Sequence, residues 1–117
     1  MATPEELAAS LEHFRSSFND NERLRVMSRD WNRIIHVQAT DLGTDHTLEM
    51  REGELFHRPE TPATADIVLR GPSETLTDMF YGDISPTQPY MDGTLVVQGS
   101  QEDIIRLDFI SLMIWGD

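Results

Sequence analysis

The chain has 117 residues, and its 9 basic side chains, all Arg, stand against 21 Asp and Glu for a formal net charge of −12. Recognition of phosphates needs clustered cations, so this balance excludes nucleic acid as a partner and disfavours anionic membrane surfaces. The length suits one domain with one core, and the absence of cysteine excludes disulfides and thiolate chemistry.

The acidic residues are spread along the chain and Lys is absent. That pattern fits either a surface that stays solvated in high salt, where screening relieves the repulsion between carboxylates, or the arginine bias of a high-GC genome. Met1-Ala2-Thr3-Pro4-Glu5-Glu6 lacks the cationic segment and apolar run of a secretory signal. No stretch approaches the ~20 apolar residues of a membrane span. The expectation is a cytoplasmic protein with no stable membrane insertion.

Thr3-Pro4-Glu5-Glu6 predicts a helix start, with Thr3 as cap, Pro4 at the first helical position and Glu6 completing a capping box. Leu7, Leu11, Phe14 and Phe18 then recur at helical spacing. Asn19-Asp20-Asn21 breaks this helix, and a shorter one is predicted over Glu22 to Met27. Strands follow. Trp31 to Ala39 alternates, with Arg33, Ile35, Val37 and Ala39 on one face and Ile34, His36 and Gln38 on the other. After the Asp41-Leu42-Gly43-Thr44 turn come His46 to Arg51 and Glu54 to His57, joined by a tight hairpin at Glu52-Gly53. Pairing across these turns puts Ile35, Val37, Leu48, Met50 and Leu55 on one shared face, the mark of a meander.

Ile67-Val68-Leu69 reads as a fourth strand with apolar residues on both sides, hence central. Ser73 to Tyr81 reads as a helix with Leu76, Met79 and Phe80 on one face, ended by Gly82. Ser85 to Asp92 contains two prolines and is read as a loop. Leu95-Val96-Val97 is the fifth strand, closed by Gly99, and Ser100 caps a final helix. In that helix Ile104, Ile105, Leu107, Phe109, Ile110, Leu112, Met113, Ile114 and Trp115 point in nearly every direction. A helix apolar all round is buried on more than one side. One side is expected on the sheet, and another against a ligand, a lipid or a second subunit. No internal repeat or linker is visible. The expectation is one α+β domain over residues 1–117, with a five-stranded, largely antiparallel sheet and helices on one side of it.

Catalytic chemistry is hard to place. His46 and His57 fall on one predicted sheet face, diagonally, but His36 points to the other, and a catalytic metal site needs a third ligand. The expectation for both is an imidazole at the edge of the core, bonded to backbone or water, with no metal. Ser73 and Ser100 are explained as helix caps, and Gly99-Ser100 lacks a nucleophile elbow. Gly71-Pro72-Ser73 has neither the glycines nor the Lys of a phosphate loop. No enzyme activity and no cofactor are expected.

The segment from Gly82 to Gly99 resembles the sterol carrier protein type 2 (SCP2-like) domain family. Gly82, Pro86, Tyr90-Met91, Gly93, Leu95, Val97 and Gly99 stand in the family's register, and Asp66-Ile67-Val68-Leu69 is similar to its acidic-then-apolar strand. The family's lysines after the two glycines are Asp83 and Thr94 here. The resemblance implies helices covering the sheet to enclose an apolar cavity, and binding or transfer of a sterol, fatty acid or acyl-CoA. The residues expected to line that cavity are Phe14, Phe18, Met79, Phe80, Tyr90, Met91, Ile110, Met113 and Trp115. Tyr90 is a candidate partner for a ligand's polar end, and Arg106 for a carboxylate. The alternative is an interaction or accessory module, in which the C-terminal helix forms a homodimer or partner interface.

Overall fold

The computed structural model describes residues 2–115, with side chains through Ile114. The capping box at the first helix is closed in both directions. The Glu6 N–H donates to Thr3 Oγ1 at 3.1 Å, and the Thr3 N–H donates to Glu6 Oε1 at 2.9 Å. From there α1 runs over Pro4–Asn19 and buries Leu7, Leu11, Phe14 and Phe18. Asn21 caps α2 (Glu22–Met27) by accepting the Leu24 N–H.

The meander is β1 (Arg33–Ala39), β2 (Thr44–Arg51) and β3 (Glu54–Arg58). Its register pairs Ile35 with Leu48 and Met50 with Leu55, as the alternation requires. At the hairpin, Glu52 and Gly53 both adopt positive φ, 53° and 79°. This is the primed-turn geometry that matches the twist of the flanking strands. A Cβ on Gly53 would stand 2.6 Å from the Arg25 carbonyl oxygen, so only glycine fits there.

β4 (Ile67–Gly71) lies beside β1, and β5 (Val96–Gly99) lies beside β4, giving the order β3-β2-β1-β4-β5. The β1–β4 ladder is parallel and the other three pairings are antiparallel, so the sheet is mixed but mostly antiparallel. β4 has a neighbour on each side, as its apolar run anticipates. The connection from β3 to β4 returns to the meander's first strand, a choice that local alternation does not encode.

α3 (Ser73–Tyr81) ends at Gly82, whose φ of 82° is left-handed. Its start corrects the sequence reading, because the N-cap is Pro72 and Ser73 is already helical. Asp41, in the β1–β2 turn, supplies the missing acceptor. Its carboxylate takes the Ser73 N–H and the Ser73 hydroxyl, both at 2.8 Å. These bonds, the hydroxyl first, hold the Asp41 carboxyl below its ordinary range. The segment expected to be a loop contains a short helix, α4 (Thr87–Asp92). Pro89 is tolerated there because the first-turn N–H groups have no intrahelical acceptor anyway. Ser100 caps α5 (Gln101–Trp115), accepting the Asp103 N–H at 3.1 Å.

One face of the sheet carries the core. Ile35, Val37, Leu48, Met50, Leu55, Ile67 and Leu69 meet residues from α1, α2, α3 and α5. The other face sets Ile34, Phe56 and Val68 among polar cross-links: His36 Nε2 with Asp45 Oδ1, Arg58 Nη1 to Glu49, and Arg70 Nε to Gln38.

Candidate ligand-binding cleft

α5 presents three different stripes. Ile110 is buried in the core, with Met113 and Ile114 packed partly against it. Ile104, Leu107, Asp108 and Ser111, at i, i+3, i+4 and i+7, face a cleft. Ile105, Phe109 and Leu112, also at i, i+4 and i+7, are exposed by 60%, 41% and 47%, and Ile105 borders the cleft as well. The helix apolar all round thus has one side in the core, one on a cleft and one uncovered.

The cleft has a volume of about 280 Å³, at the small end of the ~300–1,000 Å³ of typical ligand pockets. Leu69 and Val97, directly paired between β4 and β5, belong to its lining. Phe14 of α1 and Met79 and Phe80 of α3 form another wall, and the two phenyl rings meet edge to face with centroids 5.3 Å apart. Pro86, Thr87 and Tyr90 bring in α4. The polar groups of the lining are Thr87, Tyr90, Asp108 and Ser111. The Ser111 hydroxyl donates to the Leu107 carbonyl at 3.0 Å.

Of the residues singled out from the sequence, Phe14, Met79, Phe80 and Tyr90 line this cleft. Phe18 and Ile110 do not, since both are fully packed in the core. Met91 is 75% exposed on α4 and also lies off the cleft. Met113 packs against the core. The Trp115 side chain lies outside the described residues. Arg106 does not reach the cleft. Its guanidinium lies over the Trp31 indole, 5.6 Å from the ring centroid. The α5 stripe at 104, 107, 108 and 111 was missed. Its spacing was a usable signal, but it is the least apolar stripe of a helix that read as apolar everywhere.

A second cluster joins α1 to the meander. His57 Nδ1 lies 2.7 Å from Glu12 Oε2, and His57 Nε2 lies 2.9 Å from His46 Nδ1. The two imidazoles therefore bond to each other, and His57 also to Glu12, side-chain partners that the sequence did not indicate. Burial, then the neighbouring His57, pushes the His46 imidazole below its ordinary range. Among the described residues no group of three or more His, Asp or Glu is arranged to hold a metal. No helix among them is long and apolar enough to cross a membrane.

Residues 11–109 match the SCP-2 sterol transfer family. No curated protein sequence matches the chain. Among solved structures, the chain is similar to a UbiJ-SCP2 ubiquinone synthesis protein, at 17% identity and TM-score 0.74, over 95% of this chain and 96% of that one. It is similar to palmitated SCP2L2 from Aedes aegypti, at 10% identity and TM-score 0.69, over 94% and 95%. It also resembles part of the inverting sec-alkylsulfatase Pisa1 from Pseudomonas sp., at 18% identity and TM-score 0.61. That likeness covers 74% of this chain but spans only 13% of the sulfatase.

Proposed function

The chain belongs to the SCP-2 sterol transfer family, and from that membership we propose that it binds an apolar small molecule in the α1–α3–α4–α5 cleft and carries it shielded from water. The observation that supports this reading is the cleft's lining, in which Leu69, Met79, Phe80, Val97 and Ile104 leave apolar surface without a protein partner. Covering such surface contributes ~0.8 kcal/mol for each buried CH₂. A twelve-carbon chain therefore supplies several kcal/mol without a specific polar contact. Sterols, fatty acids and acyl-CoAs all offer such an apolar body. The palmitated protein from Aedes aegypti supports an acyl-chain-sized occupant.

Native mass spectrometry of freshly purified protein, followed by organic extraction, tests the reading. A discrete lipid mass on the monomer is expected. An empty monomer that also takes up no fluorescent lipid would overturn it.

Phe109 and Leu112, exposed and off the cleft, favour a second reading, a homodimer or accessory interface on α5. Light scattering would show a dimer that Phe109→Asp dissociates. A monomer at all concentrations rules out the homodimer. The partial match to a larger sulfatase fits an accessory role of the same kind.

A further inference from the structure

We propose that Asp108 sets the charge preference of the cleft, so that it accepts apolar molecules with a neutral or cationic polar end and rejects those ending in a carboxylate or phosphate. This rests on the cleft being the ligand site, as proposed above.

Among the described residues of the lining, Asp108 is the one charged side chain, and it is exposed. The other polar groups there, Thr87, Tyr90 and Ser111, are neutral. Cations that could offset it are engaged elsewhere. Between Gly71 and the C-terminus the sequence contains a single basic side chain, Arg106, against Glu74, Asp78, Asp83, Asp92, Glu102, Asp103, Asp108 and Asp117. Arg106 lies over the Trp31 ring. Arg70, on the strand that contributes Leu69, donates to Gln38 on the opposite face of the sheet. His13, one residue from Phe14, lies at a tilt against Tyr81 with centroids 5.2 Å apart.

A ligand carboxylate seated beside Asp108 would meet a like charge with no cation of the described lining to offset it; water reaches this exposed side chain and weakens the repulsion, and low salt preserves it. An alcohol in the same place donates a hydrogen bond to the Asp108 carboxylate, and an ammonium forms an ion pair with it. The apolar lining holds the body of the molecule whatever its polar end, so this side chain discriminates between ligands without being required for binding.

The test uses three molecules with one apolar body: dodecylamine, dodecanol and dodecanoate. Each competes with an uncharged fluorescent lipid on the intact chain at neutral pH and low salt. The expected order is amine, then alcohol, then carboxylate, with ~tenfold between the first and last. Asp108→Asn should bring all three to within ~twofold of one another. Glu22→Gln changes the net charge equally, from an exposed position on α2 that is not part of the lining, and should leave the order intact. Dodecanoate binding as tightly as dodecylamine would overturn the proposal while leaving the ligand site standing. So would Glu22→Gln collapsing the order as far as Asp108→Asn, because the field of the whole protein would then be responsible. If neither the probe nor any of the three chains binds, the ligand-site reading itself falls, and the proposal with it.

Discussion

The indole N–H of Trp31 donates to Asp103 Oδ1 over 3.0 Å, joining residues 72 positions apart in the chain. Arg33 Nε donates to the same oxygen at 2.9 Å. Both Arg33 and Arg106 hold their guanidinium groups over the Trp31 ring, 5.7 and 5.6 Å from its centroid. The start of β1 and the first turn of α5 are thus fastened by one carboxylate that is itself buried. Together with Ile110 in the core, this joint positions the helix that borders the cleft.

Asp103→Ala should therefore destabilise the protein by ~2–4 kcal/mol, because the Trp31 N–H and the Arg33 guanidinium lose their shared acceptor. Asp103→Asn, which keeps an oxygen in place, should cost less. Urea unfolding measures both, and equal losses would deny the carboxylate its role. Burial raises the Asp103 carboxyl, but the bonds from Trp31 and Arg33 outweigh that and hold it below its ordinary range. A carboxyl lowered in the folded state stabilises above its unfolded value of ~3.9, and the contribution is lost as pH falls through the folded value.

His46 acts in the opposite sense. Only one proton fits in the 2.9 Å gap between His46 Nδ1 and His57 Nε2. With His46 held below the usual histidine range, the unfolded chain binds protons that the folded one resists. Stability should fall as pH drops below ~6.5, until the folded value is also passed. His46→Gln should flatten this part of the profile. Thermal melts between neutral pH and pH 5 would show it, and parallel profiles for the two proteins would exclude His46 as the cause.

Met79→Trp should fill part of the cleft and weaken uptake of an uncharged fluorescent lipid by ~tenfold or more, at a folding cost of ~1–3 kcal/mol. Met113→Trp is the comparison, since Met113 packs against the core away from the cleft lining. Uptake should survive in that variant. Equal binding by wild type and a folded Met79→Trp protein would place the ligand elsewhere.

A net charge of −12 predicts that the melting temperature rises by several degrees between low and molar KCl. The exposed ion pairs, such as Arg58 with Glu60, lose little on screening because such pairs contribute only ~0–1 kcal/mol each. Scanning calorimetry across the salt series would decide, and a flat melting temperature would remove the high-salt reading.

Elements set by neighbouring residues were legible in the sequence. Thr3 and Glu6 announced α1, Glu52-Gly53 announced the hairpin, and alternation along Ile35, Val37 and Ala39 announced the buried face of β1. What was hidden depends on distant partners. The parallel β1–β4 ladder is set by which edge of the meander remains free. The cap on α3 comes from Asp41, 32 residues upstream. For the cleft, helix faces and the family register indicated Phe14, Met79, Phe80 and Tyr90, because each sits on an amphipathic stripe or a punctuated segment. Phe18 and Ile110 look the same from the sequence yet fill the core. Asp108 and Ser111 were not singled out, because nothing local shows that their stripe of α5 borders a gap between layers.

The parallel ladder also orders events during synthesis. β1, β2 and β3 are contiguous in the chain and are joined by two short turns, so they can pair as soon as Arg58 has emerged. The second partner of β1 begins only at Ile67. In that interval β1 presents a bare row of N–H and C=O groups beside Ile35 and Val37, the kind of edge on which separate chains add strands to one another. At the far side of the same sheet, Asn19 already closes the β3 rim by exchanging two hydrogen bonds with the Leu55 backbone. The meander is therefore bonded at Leu55 along one border and open along the other until β4 pairs with β1, so the fourth strand is also the cover for an aggregation-prone kind of edge.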